Sequence, residues 1–268
     1  FLNSCHGGPG EDGTLQSLLE ILRVKYTGPK VVSAQICMDK YVFYTTMKEK
    51  GLPVLHKELL NSKEKVTFQG PYILKPRFGG SSIGVEVVND YESVLKIIES
   101  SDLYAQGAVI EKYLENSEDI LIGVKNYPSF NVSEIEKPIK NDTLFSYSEK
   151  YLENGGLEGS KRELPANIDE DKKNKIISYV EKINSIIPTR GIFRYDFLLD
   201  NEDIYINEIN AIPGSHALYL WQNLNKSKYE LLNDIVDEAL SEEINTWITT
   251  GSDGLALKSA KDIQSKLG

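Results

Sequence analysis

Residues 191–214 read GIFRYDFLLDNEDIYINEINAIPG. Two apolar, β-prone runs, Ile192–Leu199 and Tyr205–Asn210, flank Asp200–Asp203, a segment of turn-forming residues. Side chains two apart along a strand share a face. Arg194 and Asp196 therefore point one way on the first strand, and Glu208 and Asn210 share a face on the second. A turn over residues 200–204 would set Asp196 opposite Glu208. Three oxygen ligands and one guanidinium would then converge on a single surface. Asp, Glu and Asn are disfavoured inside strands, so their place among apolar and aromatic neighbours points beyond an ordinary solvated edge. Hard oxygen donors of this kind suit Mg²⁺ held by carboxylates together with substrate phosphates.

Upstream, residues 74–85 read LKPRFGGSSIGV. Lys75 ends a strand, and Gly79-Gly80-Ser81-Ser82 offers backbone N–H groups and hydroxyls on a turn able to close over phosphate oxygens. The spacing is not that of a Walker loop. A Gly-Gly-Ser-Ser turn alone is usually a plain hairpin; beside Lys75 and the hairpin it reads as a phosphate site. Val109–Leu114, followed by Glu118, reads as a strand whose backbone could meet an adenine edge and whose carboxylate could meet ribose hydroxyls. Taken alone it reads more readily as a charged surface strand.

The remaining elements follow from periodicity. Leu15, Leu18, Leu19 and Leu22 form one helical stripe that stops near Gly28-Pro29. Ser33 can cap a second helix, which carries Met38-Asp39-Lys40 and ends at Gly51. Strands are expected at Leu52–Leu55, Tyr72–Pro76, Val85–Val88, Ala108–Leu114 and Ile120–Lys125. Asp90 caps a helix with Tyr91, Val94, Leu95 and Ile98 inward. Residues 141–163 read as a long mobile loop of the kind that is usually functional or disordered. Asp169 caps a helix with Ile176, Ile177, Val180, Ile183 and Ile187 on one face. A last helix falls near 228–243.

Composition bounds the partners. The 268 residues carry a formal net charge of −10, with 40% hydrophobic and 26% charged residues. That is an ordinary globular balance, and it disfavours nucleic acid or an anionic membrane, which need a basic face. Cys5 and Cys37 read as buried, reduced thiols. No apolar run approaches the roughly 20 residues of a membrane helix, and no signal-peptide pattern occurs, so a cytoplasmic location is expected.

Together these motifs resemble the D-alanine–D-alanine ligase family of the ATP-grasp superfamily, over the chain to about residue 243. HGGPGEDGTLQ at 6–16 is similar to the family's HGxxGEDG loop, and SAQICMDK at 33–40 to its segment ending in Met-Asp-Lys. LKPRFGGSSIGV resembles its KPxxxGSSxG turn, and EKYLENSED at 111–119 its strand with two nucleotide-binding carboxylates. YSEKY at 147–151, PAN at 165–167, RYDF at 194–197 and NEINAIPG at 207–214 complete the set.

The resemblance implies an α/β, ATP-grasp fold. The nucleotide would lie between two α+β lobes, at 52–128 and 129–244, preceded by a partial Rossmann-like domain at 1–51 and followed by a tail at 245–268. It implies an ATP-dependent carboxylate–amine ligase that joins two amino acids through an acyl phosphate in peptidoglycan precursor synthesis. Lys40 and Lys75 would hold ATP phosphates, Ser81 and Ser82 would close on them, and Lys150 would reach the γ-phosphate. Glu111, Lys112 and Leu114 would serve the adenine and Glu118 the ribose. Asp196, Glu208 and Asn210 would bind two Mg²⁺, with Mn²⁺ an alternative. Arg194 and the Gly214 N–H would form the oxyanion site. His6 and Glu11 would lie near the first amino acid, with His216 and Leu218 also on the substrate side. Tyr151 would hydrogen-bond Ser81 and, as a Tyr, would favour an amine acceptor over a hydroxy acid. Small-molecule amino-acid substrates are implied, and a homodimer is compatible.

Two departures keep the acceptor open. The family has a glycine-rich segment before its HGxxGEDG loop, with a Glu for the first amino acid's ammonium; Phe1–Cys5 here reads as the end of a strand, as though the sequence began within that domain. After Pro213-Gly214 the family runs on to His-Ser-Leu, whereas this sequence has the shorter SHAL, with Ala217 at the Ser position. A ligase for another acceptor, or an ATP-binding relative without activity, remains a competing reading.

Overall fold

The computed structural model describes residues 1–60, 66–139 and 161–244. Lys150, Tyr151, the YSEKY segment, most of the expected 141–163 loop, Trp247 and the 245–268 tail lie outside the described residues. The first elements are helices α1 (Thr14–Ile21), α2 (Val31–Met38) and α3 (Lys40–Glu49). A small sheet follows, from β1 (Lys57–Leu60), β2 (Tyr72–Pro76), β3 (Glu86–Val88) and β4 (Ala108–Lys112), in the order β1-β4-β2-β3. Helix α4 (Tyr91–Ser100) packs on it. The large sheet contains β5 (Glu118–Lys125), β6 (Asn131–Pro138), β7 (Arg162–Glu163), β8 (Ile192–Asp200) and β9 (Asp203–Asn210), in the order β7-β6-β5-β8-β9. Helix α5 (Glu170–Ile186) covers its inner face, and α6 (Lys228–Ser241) ends the described chain. Every strand pair is antiparallel. Among the described residues no helix is long and apolar enough to cross a membrane.

Alternation on the large sheet separates core from site. Phe193, Tyr195, Phe197 and Leu199 of β8 pack with Ile120, Ile122 and Val124 of β5 and with Ile176, Val180 and Ile183 of α5. Arg194, Asp196 and Leu198 are consequently left on the opposite face, toward the small sheet.

The hairpin reaches its expected pairing by an unexpected route. The turn is only Asn201-Glu202, between the paired Asp200 and Asp203, with Asn201 left-handed at φ 55°. That register alone would put Asp196 opposite Asn207. A bulge between Asp196 and Phe197 of the pairing absorbs one residue of β9, so Phe197 pairs Ile206 while Asp196 pairs Glu208 and Arg194 pairs Asn210. The extra residue reverses the parity of β9. Ile204 and Ile206 face the core before it, and Ile209 and Ala211 after it. Glu208 and Asn210 thereby face Asp196 rather than the core.

Several local expectations are corrected. Only Leu19 of the first leucine stripe is buried; Leu18 and Leu22 are 52% and 60% exposed, while Gln16 and Glu20 turn inward. Ser33 does not cap a helix. It lies inside α2, and its hydroxyl donates to the Pro188 carbonyl. The expected single helix breaks at Asp39, whose carboxylate accepts from the Tyr41 and Val42 N–H groups and so starts α3 afresh. No strand forms over residues 52–55, where Pro53 lacks a donor; its carbonyl accepts one bond from Ile206 N–H, and the strand begins at Lys57. In α4 the Asp90 cap is as expected, but Ile97 packs inward and Leu95 is exposed. Cys5 is exposed and only Cys37 is buried; both are free thiols. Trp221 packs in the core beneath α6.

The N-terminal loop closes tightly at Gly10. Its carbonyl accepts from the Asn3 and Gln16 side-chain amides, and a β-carbon there would stand 2.2 Å from Cys5 Cβ and 2.7 Å from the Cys5 carbonyl oxygen. Gly10→Ala is therefore expected to destabilise the fold by about 1–3 kcal/mol, as overpacking does. Urea unfolding checks this; an unchanged midpoint would show that the loop yields freely.

Candidate active site

The two sheets close on a cleft lined from both sides. The small sheet contributes Ile73, Lys75 and Glu111, and the large sheet Asp119, Leu121, Asp196, Leu198, Asn207, Glu208 and Asn210. Apolar Ile73, Val85, Leu121 and Leu198 face one another across it, as a flat heterocycle would require, and polar groups gather toward the hairpin. Lys112 and Leu114 also line the cleft, at the end of β4 and just beyond it.

Two lysines reach the cleft by different supports. Asp39 caps α3 and also takes the Arg77 guanidinium on both oxygens, Nε donating to Oδ1 at 3.0 Å and Nη2 to Oδ2 at 2.7 Å. The Lys40 N–H donates to the Arg77 carbonyl at 3.1 Å. The start of α3 is thus clamped to the end of β2, and Lys40 Nζ lies over the glycine turn, donating to the Gly79 carbonyl at 2.6 Å. Burial lowers the Lys40 pKa, with neighbouring carboxylates partly opposing it. Lys75 pairs with Glu111 and donates to Asn207 Oδ1 at 3.3 Å. Asn207 is the bulge residue of β9, so the same irregularity that aims Glu208 also contacts a lysine of the cleft lining.

The glycine turn adds Ser81 and Ser82, both left-handed at φ 57° and 59°. Such geometry costs an L residue roughly 1–2 kcal/mol, and it presents two consecutive hydroxyl residues to the cleft. His6 links this turn to the hairpin's exit, with Nε2 3.1 Å from Ser81 Oγ and Nδ1 2.9 Å from the Ile212 carbonyl.

On the hairpin, Arg194 donates to both Asp196 oxygens at 2.7 Å, and Asn210 Nδ2 donates to Asp196 Oδ2 at 3.0 Å. Among the described residues no three His, Cys, Asp or Glu side chains cluster as a metal site. The set here is two carboxylates and an amide. All offer hard oxygens on one face, and that donor chemistry fits Mg²⁺ shared with phosphates. A bound cation would have to share Asp196 with Arg194.

Other expected residues lie elsewhere. Glu11 is buried behind the cleft rather than in it. Its oxygens accept from the Ile212 and Gly7 N–H groups at 2.7 and 3.0 Å. Burial raises its pKa, and these two N–H donors oppose the rise. It fixes the loop that carries His6 to the segment carrying Gly214, which does line the cleft. Glu11→Ala is expected to cost about 1.5–3 kcal/mol, the worth of hydrogen bonds to a charged group, read as a lowered urea midpoint. No change would remove this positioning role.

Glu118 starts β5 outside the cleft lining and pairs with Lys137 at 3.3 Å. Alternation turns the next residue, Asp119, inward. His216 and Leu218 are likewise not in the lining. Ser215, His216 and Ala217 are successive left-handed residues, at φ 50°, 50° and 48°. This twist aims His216 at Ser4, whose Oγ is 2.9 Å from Nε2, and packs Leu218 against the core under α6. Ala217 is fully buried among Ile192, Leu220 and Trp221. Tyr219 takes the cleft position instead, donating to Glu136 Oε2 at 2.6 Å beneath the Arg162 guanidinium. Asp119, Asn207, Glu136, Arg162 and Tyr219 were not singled out from sequence. Strand alternation could have found Asp119 and Glu136.

A cleft between two antiparallel α+β lobes, with lysines and a glycine-serine turn on one wall and an acidic hairpin on the other, defines an ATP-grasp protein. The family model described as "D-ala D-ala ligase C-terminus" matches residues 33–241. The D-alanine–D-alanine ligase of Thermosipho africanus (strain TCF52B) is 36% identical over 248 residues, covering 89% of this chain and 67% of that protein. That of Helicobacter pylori (strain HPAG1) is 31% identical, covering 87% and 68%. The crystal structure of a Helicobacter pylori D-alanine–D-alanine ligase superposes with a TM-score of 0.71 at 27% identity, over 91% of this chain and 71% of that one. The chain belongs to the D-alanine–D-alanine ligase family, and it spans about two thirds of the length of these curated relatives.

Proposed function

We propose that this chain uses ATP to activate the carboxylate of D-alanine and passes the acyl group to the amine of a second D-amino acid, giving a dipeptide for peptidoglycan precursors in the cytoplasm. The observation that carries this reading is the hairpin face, where Arg194 stands with Asp196, Glu208 and Asn210. The acidic and amide oxygens suit magnesium and phosphate. The guanidinium adds what acyl transfer needs.

A carboxylate is a poor electrophile, and phosphorylation makes it an acyl phosphate that an amine can attack. Phosphoryl transfer depends on positioning and charge neutralisation. Lys40 and Lys75 supply fixed positive charge, and Ser81 and Ser82 supply donors over the phosphates. Asp196, Glu208 and Asn210 would hold the cations, which when bound neutralise phosphate oxygens. Attack by the amine makes a tetrahedral oxyanion, stabilised by Arg194 and the Gly214 N–H. Ile73, Val85, Leu121 and Leu198 hold the adenine, with Lys112 and Leu114 at its edge and Asp119, rather than Glu118, toward the ribose. In sequence, Lys150 would reach the γ-phosphate, and Tyr151 favours an amine acceptor.

A second reading, with a different amino-acid or peptide acceptor, is favoured by the burial of Ala217, which leaves that position without a donor for an acceptor carboxylate. Phosphate release by the full-length protein with ATP, Mg²⁺ and D-alanine tests both. Release with D-alanine is expected. Release only with another amino acid would replace the substrate, and no release with any amino acid, despite ATP binding, would replace the enzyme by a nucleotide-binding protein.

A further inference from the structure

Lys57 is a buried charge that the chemistry above does not use. It sits on β1 directly opposite Glu111 of β4. Glu111 is in turn opposite Ile73 of β2, two residues before Lys75. Tyr72, Leu74 and Ile110 fill the small sheet's core; alternation therefore places Lys57, Lys75 and Glu111 together on the other face, toward the cleft. Both ammonium groups pair with the one carboxylate, Lys57 through Oε2 and Lys75 through Oε1. Lys57 is 4% exposed and Glu111 1% exposed. Lys75 and Glu111 line the cleft, whereas Lys57 lies beneath it. Burial would raise the Glu111 pKa, but the two lysines outweigh it and bring it to about 2. Burial depresses the Lys57 pKa against the pull of Glu111.

The pairing creates a demand on Lys75. On the reading that Lys75 binds nucleotide phosphates, it must turn from Glu111 when they arrive. A buried carboxylate deprived of its only cation is strongly destabilised. With two cations on Glu111, one can leave.

We propose that Lys57 is a positioning residue of the nucleotide site: it keeps Glu111 compensated, so that Lys75 is released to the triphosphate. Lys57 touches no part of the nucleotide itself. Its effect passes through Glu111 and is confined to ligands that carry phosphates.

The test is equilibrium binding of MgATP and of adenosine to the full chain and its variants. Lys57→Met is expected to weaken MgATP binding about tenfold or more, the scale of one charged hydrogen bond, and to leave adenosine binding unchanged. In a Glu111→Gln background, where the demand for a second cation is gone, adding Lys57→Met is expected to change MgATP affinity less than about threefold, as a coupled pair requires. Wild-type MgATP affinity in Lys57→Met, an equal loss for adenosine, or the same loss in both backgrounds would overturn the proposal. Should Lys57→Met not fold, Glu111→Gln and the double variant decide between them: equal affinities support it and a weaker double variant overturns it. Failure of the wild-type protein to bind MgATP would count against the nucleotide reading itself, a separate outcome.

Discussion

Arg194→Met is expected to lower kcat by about 10²–10³, the usual loss when one oxyanion donor is removed, with KM for ATP little changed. Arg194 lies on the cleft face of β8, where both its donors to Asp196 and its pairing with Asn210 fix its direction. Its charge is assured, because the adjacent Asp196 carboxylate outweighs burial and raises its pKa. Met preserves much of the stem's packing and removes the planar donor fork. Arg194→Lys keeps the charge without the fork, so it is expected to recover only part of the rate. Steady-state phosphate release measures both variants. A kcat within about threefold of wild type in Arg194→Met would remove acyl-transfer stabilisation from the account of this residue.

Asp196→Asn acts on the neighbouring function. The side chain keeps its shape and loses its charge. A cation on phosphate contributes several kcal/mol to charge stabilisation, and each 1.4 kcal/mol is tenfold in rate, so turnover is expected to fall by about 10²–10³. A binding readout separates this from a folding defect. The Mg²⁺ concentration needed for half-maximal ATP binding is expected to rise about tenfold or more. An unshifted Mg²⁺ requirement would exclude Asp196 as a ligand. Because Arg194 and Asp196 share two hydrogen bonds, the double variant is expected to be less impaired than the two single losses combined.

Much of the site could be read from residue types in order. Hydrophobic alternation in β8 placed Arg194 and Asp196 on one face, and the structure agrees. Lys40, Lys75, Ser81 and Ser82 all reach the cleft from the segments expected to supply them. Periodicity misled where a local signal had two meanings. The stripe Leu15-Leu18-Leu19-Leu22 fits a helix, yet α1 ends at Ile21 and buries Gln16 and Glu20 beside Leu19, because Gln16 donates to Gly10 and Glu20 accepts from Tyr26. Asp39 looked like one residue of a long helix and proved to be a cap, since its carboxylate serves Arg77 from another segment.

The sequence by itself determined which side chains the hairpin carries among its apolar residues, Arg194, Asp196, Glu208 and Asn210, because acidic and amide residues stand out within apolar strands. The structure shows the bulge as a break in spacing: the core-facing residues of β9 and the residue after it fall at 204, 206, 209 and 211, a period of two interrupted by one step of three. Only the tertiary structure decided where Glu111, His216 and Leu218 would point. Glu111 is claimed by Lys57 from a strand 54 residues away, and His216 by Ser4 from the other end of the chain. Side-chain direction there is set by partners distant in sequence, and no local pattern encodes a partner that only folding brings within reach.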